Sequence, residues 1–236
     1  MRDIKPHTHK DRTEVIKELT PEIKKALGEN LIALGVGGSY ARNKDIEYSD
    51  IELVAFVKES LKVPWEIRRI KDGLLIVVVA DTKEEYIRKY LDVSDVWYAS
   101  GADKLSPIIN EQFIDELNAF VPEDIDKKCL WQIKKRWSSF QEITAKVLNA
   151  IKENNGEGLP LIFLQMMKEL LIILSYLNKT PYVTLGSYIT QSKKFKNKPK
   201  GFNKLIDIFV KGEYQDFEAI RSGTKEAFSD LEEKLL

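Results

Sequence analysis

Gly35-Val36-Gly37-Gly38-Ser39-Tyr40-Ala41-Arg42, followed by Tyr48-Ser49-Asp50-Ile51-Glu52-Leu53, is the stretch whose reading decides the fold and the chemistry. The apolar run Leu31 to Val36 stops at two glycines and a serine. A second apolar run, Ile51 to Val57, is preceded by one carboxylate and carries another at its second position. Short apolar, β-branched runs bounded by glycine read as buried, neighbouring strands. Alternate residues of a strand share a face, so Asp50, Glu52, Val54 and Phe56 point one way and Ile51, Leu53, Ala55 and Val57 the other. Two carboxylates roughly 6.6 Å apart along one such face repel each other, and burial makes the repulsion costlier. A divalent cation relieves it, and Mg2+ accepts one or two carboxylates completed by phosphate oxygens. Gly37 and Gly38 allow a phosphate to approach backbone amides, Ser39 adds a hydroxyl, and Arg42, about one turn on, adds a planar guanidinium. The same residues also fit an ordinary strand-turn-strand with a solvated acidic end, because short glycine motifs recur by chance.

Working outward, Val15, Ile16, Leu19, Ile23 and Leu27 fall at helical spacing between Asp11 and Asn30, with Gly28 as a stop, so one or two helices lead in. Ser39 to Arg42 starts a short helix and Asn43 to Tyr48 is a polar loop. Trp65 to Ile70 and Leu74 to Ala80 read as strands joined across Asp72-Gly73, a strong hairpin signal, the second apolar on both faces and therefore central. From Thr82 the pattern turns helical. A less regular segment from Val93 to Ile108 is the domain junction. Ile109 to Phe120, Glu123 to Glu153, Leu159 to Leu177, Leu185 to Ser192, Phe202 to Lys211 and Tyr214 to Leu236 then read as helices. The expected fold is α+β: a small mixed-sheet domain over 1–108, then an all-helical bundle over 109–236.

Lys plus Arg and Asp plus Glu number 37 each, so the net charge is zero and no bulk field draws the chain to nucleic acid. The lone Cys129 has no intrachain partner, which suits a reducing compartment. Met1 to Pro6 carries no apolar core of a secretion signal. Leu159 to Leu177 is the most apolar long segment, but Gln165, Lys168 and Glu169 interrupt it, and it reads as a buried helix rather than a membrane span. The expectation is a soluble, cytoplasmic protein. His7 and His9 lie in a polar tail without the spacing of a zinc site. The basic loop Lys193 to Lys200 reads as a solvated connector.

Gly-Ser followed by Ser-Asp-Ile-Glu at the start of the next strand resembles the signature of the polymerase-β-type nucleotidyltransferase superfamily. Gly35 to Arg42 with Tyr48 to Glu52 is similar, more narrowly, to the kanamycin nucleotidyltransferase family, the aminoglycoside 4'-adenylyltransferases. Phe140-Gln141-Glu142-Ile143-Thr144-Ala145-Lys146 resembles that family's catalytic-base helix, and Gly158 through Phe209-Val210 follows its spacing. The resemblance implies an enzyme that transfers AMP from Mg2+-ATP to a hydroxyl of a small molecule, an aminoglycoside, with release of pyrophosphate. It implies Gly38, Ser39, Arg42 and Ser49 at the nucleotide, Asp50 and Glu52 as Mg2+ ligands, Glu142 as general base and Lys146 against the phosphates. It also implies a homodimer with the active site at the interface. By spacing alone, Glu142 and Lys146 are an ordinary surface pair worth about 0.3–0.5 kcal/mol.

One departure stands out. The family places a third acid on the later strand, where an ungapped comparison through Gly73 puts Val78. Asp81 is the nearest acid but faces away from Val78 in a regular strand, and Glu66 requires another register. Two alternatives follow: the same chemistry on a protein, tRNA or other metabolite acceptor, or a nucleotide-binding protein with degraded catalysis. Trp97, Tyr98 and Trp137 are candidates for the border of an acceptor pocket.

Overall fold

The computed structural model describes residues 4–61 and 65–235, so Met1 to Asp3, Lys62 to Pro64 and Leu236 lie outside the described residues. In chain order the elements are α1 (His9–Leu27), β1 (Leu31–Val36), α2 (Gly38–Ala41), β2 (Ile51–Val57), β3 (Trp65–Lys71), β4 (Leu74–Asp81), α3 (Lys83–Tyr86), α4 (Trp97–Ser100), β5 (Ser106–Ile109), α5 (Glu111–Asn118), α6 (Ile125–Lys152), α7 (Leu159–Leu177), α8 (Tyr188–Ser192), α9 (Phe202–Lys211) and α10 (Phe217–Leu235). They form two units. One runs to Asp92 and resumes over Asp103–Pro122; the other is Val93–Ala102 with the chain from Glu123 onward.

The first unit is built on a five-stranded mixed sheet in the order β3-β4-β2-β1-β5. β2 and β4 run parallel, with Leu53 opposite Val78 and Phe56 opposite Asp81, and the other neighbours are antiparallel. The period-two pattern sorts the side chains. Ile51, Leu53, Ala55 and Val57 with Ile76 and Val78 meet Ile16, Leu19, Ile23 and Leu27 of α1 on one face. Ala33, Val54 and Phe56 meet Tyr86, Leu105, Ile114 and Leu117 on the other. α1 begins where Thr8 and Asp11 cap each other reciprocally and ends at Gly28, whose φ of 54° suits glycine.

The single cut after Ile108 expected from sequence is corrected. β5, which sequence reading missed, pairs with β1 and holds 103–122 in the sheet unit, whereas Val93 and Trp97 are buried in the helical core. That core forms around α7, whose Phe163, Met167, Leu170, Ile173 and Leu174 are fully buried, and around the facing side of α6. Two of its buried tyrosines place their polar tips on carbonyls: the Tyr182 hydroxyl donates to that of Leu171 at 2.7 Å and the Tyr176 hydroxyl to that of Ser94 at 2.8 Å. Among the described residues α7 is the one helix long and apolar enough to cross a membrane. The burial of 61% of that stretch inside the protein marks it as a core helix. α10 starts at Phe217 rather than Tyr214, because Asp216 accepts from the amide of Ala219 at 2.9 Å and caps it there.

Candidate active site

The turn after β1 and the start of β2 are tied directly. The amide of Gly37 donates to the Glu52 carbonyl at 2.8 Å. Gly38 then takes φ +66°, and a Cβ there would lie 3.2 Å from Glu52 Cδ and nearer still to Oε2. The Glu52 carboxylate is thus seated against the bare backbone of the turn, a placement that only glycine allows. α2 is a single turn, and Arg42, just past it, extends Nη1 to Asp103 Oδ1 at 2.8 Å. Among the described residues no side-chain hydrogen bond occupies the Ser39 hydroxyl. The Ser49 hydroxyl is used inside its own loop, accepting from the amide of Ile46 at 3.0 Å.

Glu52 remains solvent-accessible within a strand that is otherwise buried. The surrounding protein still pushes its carboxyl above the ordinary range, and Asp50 and Asp103 add to the rise while Arg42 opposes it. Burial likewise raises Asp103, again against Arg42. Three acids face one guanidinium, so the cluster carries unmet negative charge. Among the described residues no group of three or more His, Cys, Asp or Glu is arranged to hold a metal ion. Asp50 and Glu52 are the candidate pair here, and two carboxylates suit a divalent cation whose remaining oxygen ligands come from a phosphate chain.

The third-acid expectation is corrected by the register. Val78 stands opposite Leu53 and is buried against α1, on the face away from Glu52; the residue beside Glu52 is Val77. Asp81 does share the face of Glu52, but it pairs with Phe56, four positions along the strand, and binds Lys89. Glu66 lies opposite Val79, one strand further out, and binds Arg68. Neither joins the carboxylate pair. Asp103 instead lies close enough to raise the Glu52 carboxyl while it binds Arg42, and sequence reading missed it. Its only local signal is an acid shortly before a four-residue strand that contains Pro107.

In the helical unit, Glu142 and Lys146 form an ion pair of 2.7 Å on α6, both largely exposed. The hydrogen bond from Lys146, and then its charge, hold the Glu142 carboxyl below the ordinary range, so it is ionised at neutral pH. The pair lines a groove: Ser139, Glu142, Ile143 and Lys146 form one wall, and Gln165, Lys168 and Glu169 of α7 the other. Glu169 is held by Arg136 at 3.2 Å. Trp97, Tyr98 and Trp137 do not line it. Trp97 and Tyr98 pack on Tyr176, and Trp137 stacks on Phe228, because these rings bury more apolar area in the core than a polar groove offers. In the basic loop, Lys193 reaches Asp207 at 3.4 Å.

Residues 138–235 match the family described as KNTase C-terminal domain. The chain is 22% identical over 242 residues to the aminoglycoside nucleotidyltransferase (4') of Staphylococcus aureus, an alignment spanning 96% of this chain and 90% of the relative. The aminoglycoside nucleotidyltransferase (4') of a Bacillus species matches to the same extent. The crystal structure of a nucleotidyltransferase-like protein from Exiguobacterium sibiricum 255-15 covers 91% of this chain and 74% of its own, with a TM-score of 0.52 at 8% identity, which shows a shared fold. The chain is thus a nucleotidyltransferase that is similar to aminoglycoside nucleotidyltransferases (4') along nearly its whole length and matches the KNTase C-terminal domain over 138–235.

Proposed function

We propose that the chain transfers AMP from Mg2+-ATP to a hydroxyl of an aminoglycoside and releases pyrophosphate. The observation that carries the reading is the Glu52 carboxylate seated on the Gly37-Gly38 turn, with Asp50 beside it and Arg42 within the same charged cluster. The relatives named aminoglycoside nucleotidyltransferase (4') support the acceptor class. Gly38, Ser39 and Arg42 bind the phosphates of the leaving pyrophosphate. Asp50 and Glu52 would hold Mg2+, which when bound neutralises and aligns phosphate oxygens. Glu142, ionised at neutral pH, takes the proton of the acceptor hydroxyl as its oxygen attacks the α-phosphorus and the bond to pyrophosphate breaks. Lys146 orients that carboxylate and offers a cation to the phosphates. In this reading the protein is a homodimer, and Glu142 of one copy serves the nucleotide held by the other.

A second reading keeps the chemistry and changes the acceptor. Lys146 and Lys168 balance Glu142 and Glu169 in the groove, so no excess of negative charge awaits a polycation there. Labelled ATP with a panel of cationic and neutral hydroxyl compounds separates the two readings. Purified protein with Mg2+-ATP and kanamycin should release pyrophosphate, and Asp50→Asn should abolish release without changing Tm. Undiminished turnover in that variant sinks both.

A further inference from the structure

α1 places a charged residue in its buried stripe. Arg12 precedes Ile16, Leu19 and Ile23 at helical spacing and is 0% exposed. A guanidinium without water must have all its donors met, and here five hydrogen bonds do so. Nε donates to the Ser49 carbonyl at 2.9 Å; Nη1 donates to the His7 carbonyl at 2.9 Å and to Asp45 Oδ2 at 3.1 Å; Nη2 donates to the carbonyls of Ile46 at 2.6 Å and Glu47 at 3.0 Å. Four of the five acceptors lie in the loop that leads into β2. Asp45, its side chain 2% exposed, is also held by His9 Nδ1 at 2.7 Å.

That loop has no strand to pair with; the Ser49 amide meets the Ile46 carbonyl at 3.0 Å from within it, and the carbonyls of Glu47 and Ser49 take donors brought from elsewhere. The Ser49 carbonyl belongs to the peptide that joins Ser49 to Asp50. A donor fixed on it sets the plane of that peptide, and with it the direction in which Asp50 enters the strand beside Glu52. We infer that Arg12 is a positioning residue for the Asp50–Glu52 carboxylate pair: it acts through the 45–49 loop and touches no substrate. The inference rests on the proposed Mg2+-nucleotide site. Lysine cannot replace it, because one ammonium with three donors on a single nitrogen cannot span acceptors spread around a planar fork.

The test uses the full chain and two binding measurements: calorimetry of a non-hydrolysable ATP analogue with and without Mg2+, and Mn2+ binding read by electron paramagnetic resonance. Arg12→Lys should weaken divalent-ion binding by about 10- to 100-fold, the range for groups that orient metal ligands. Metal-free nucleotide binding should stay within twofold of the parent chain, and higher Mg2+ should restore turnover. A general loss of structure would lower both binding modes together and would not respond to Mg2+. Should Arg12→Lys fail to fold, Asp45→Asn is read instead, because it keeps the guanidinium and slackens the loop; the same selective loss is expected. A folded variant with unchanged divalent-ion affinity overturns the inference. A parent chain without any Mg2+-dependent nucleotide binding overturns the site reading itself, and the two failures are therefore distinct.

Discussion

Gly38 offers the sharpest test of how the site is built. Its φ of +66° costs an L-residue about 1–2 kcal/mol, and a smaller unfolded-state entropy for alanine returns about 0.4–1 kcal/mol of that. The Cβ of Gly38→Ala would also run into the Glu52 carboxylate. That group is the far end of a flexible side chain and can swing aside cheaply, so the net cost to folding is about 1 kcal/mol, a fall of a few degrees in Tm. The cost to function is of another kind, because the displaced carboxylate is the proposed metal ligand. Thermal unfolding and Mg2+-dependent pyrophosphate release should therefore separate: Gly38→Ala folds, yet loses turnover about as far as Glu52→Gln. Combining the two should add little further loss, since both act through one carboxylate. Near-parent turnover in Gly38→Ala, or full additivity in the double variant, refutes the reasoning.

Further expectations concern the acids around Glu52 and the helical core. Glu52 is held above its ordinary value of 4.5, so Mg2+ affinity is full above the raised value and falls as pH drops through it. Asp103→Asn removes one repelling charge and frees Arg42 to favour the ionised form, so that loss should move to lower pH in a calorimetric titration; an unmoved profile contradicts the Asp103 assignment. Asp81→Asn should leave the Mg2+ dependence of turnover unchanged, because Asp81 serves Lys89, and a large shift would return it to the site. Leu170→Ala, at a fully buried position of α7, should cost about 2–5 kcal/mol in urea unfolding.

What was legible in the sequence is what local pattern determines. Leu31–Val36, Ile51–Val57 and Leu74–Asp81 are apolar apart from Glu52 and Asp81 because sheet neighbours or helices cover them, and each is a strand. α6 and α7 were readable from long helical periodicity, and strand alternation singled out Asp50 and Glu52 as a candidate pair. β5 was not readable: four residues with a proline carry no periodicity, and only pairing with β1 makes them a strand. The place of Val78 relative to the acids could not be read for a related reason. Counting from Gly73 ignores that the parallel register of β2 and β4 sets which side chains are neighbours, and that register puts Leu53, not Glu52, opposite Val78.

The candidate site was legible where it is made of one strand and its turn, and illegible where it depends on partners far along the chain. Arg42 alone reads as a cation free for phosphate; its orientation comes from Asp103, 61 positions on. The loop before Asp50 reads as an unconstrained polar connector; its order comes from Arg12, 37 positions before Ser49. An arginine inside an apolar helical stripe is the one local sign of this. Such a residue cannot be buried at acceptable cost unless a ring of carbonyls and a carboxylate waits for it. Burial of a charge in a helix stripe therefore carries information about a distant loop. In this chain the loop is the one that delivers the first carboxylate of the site.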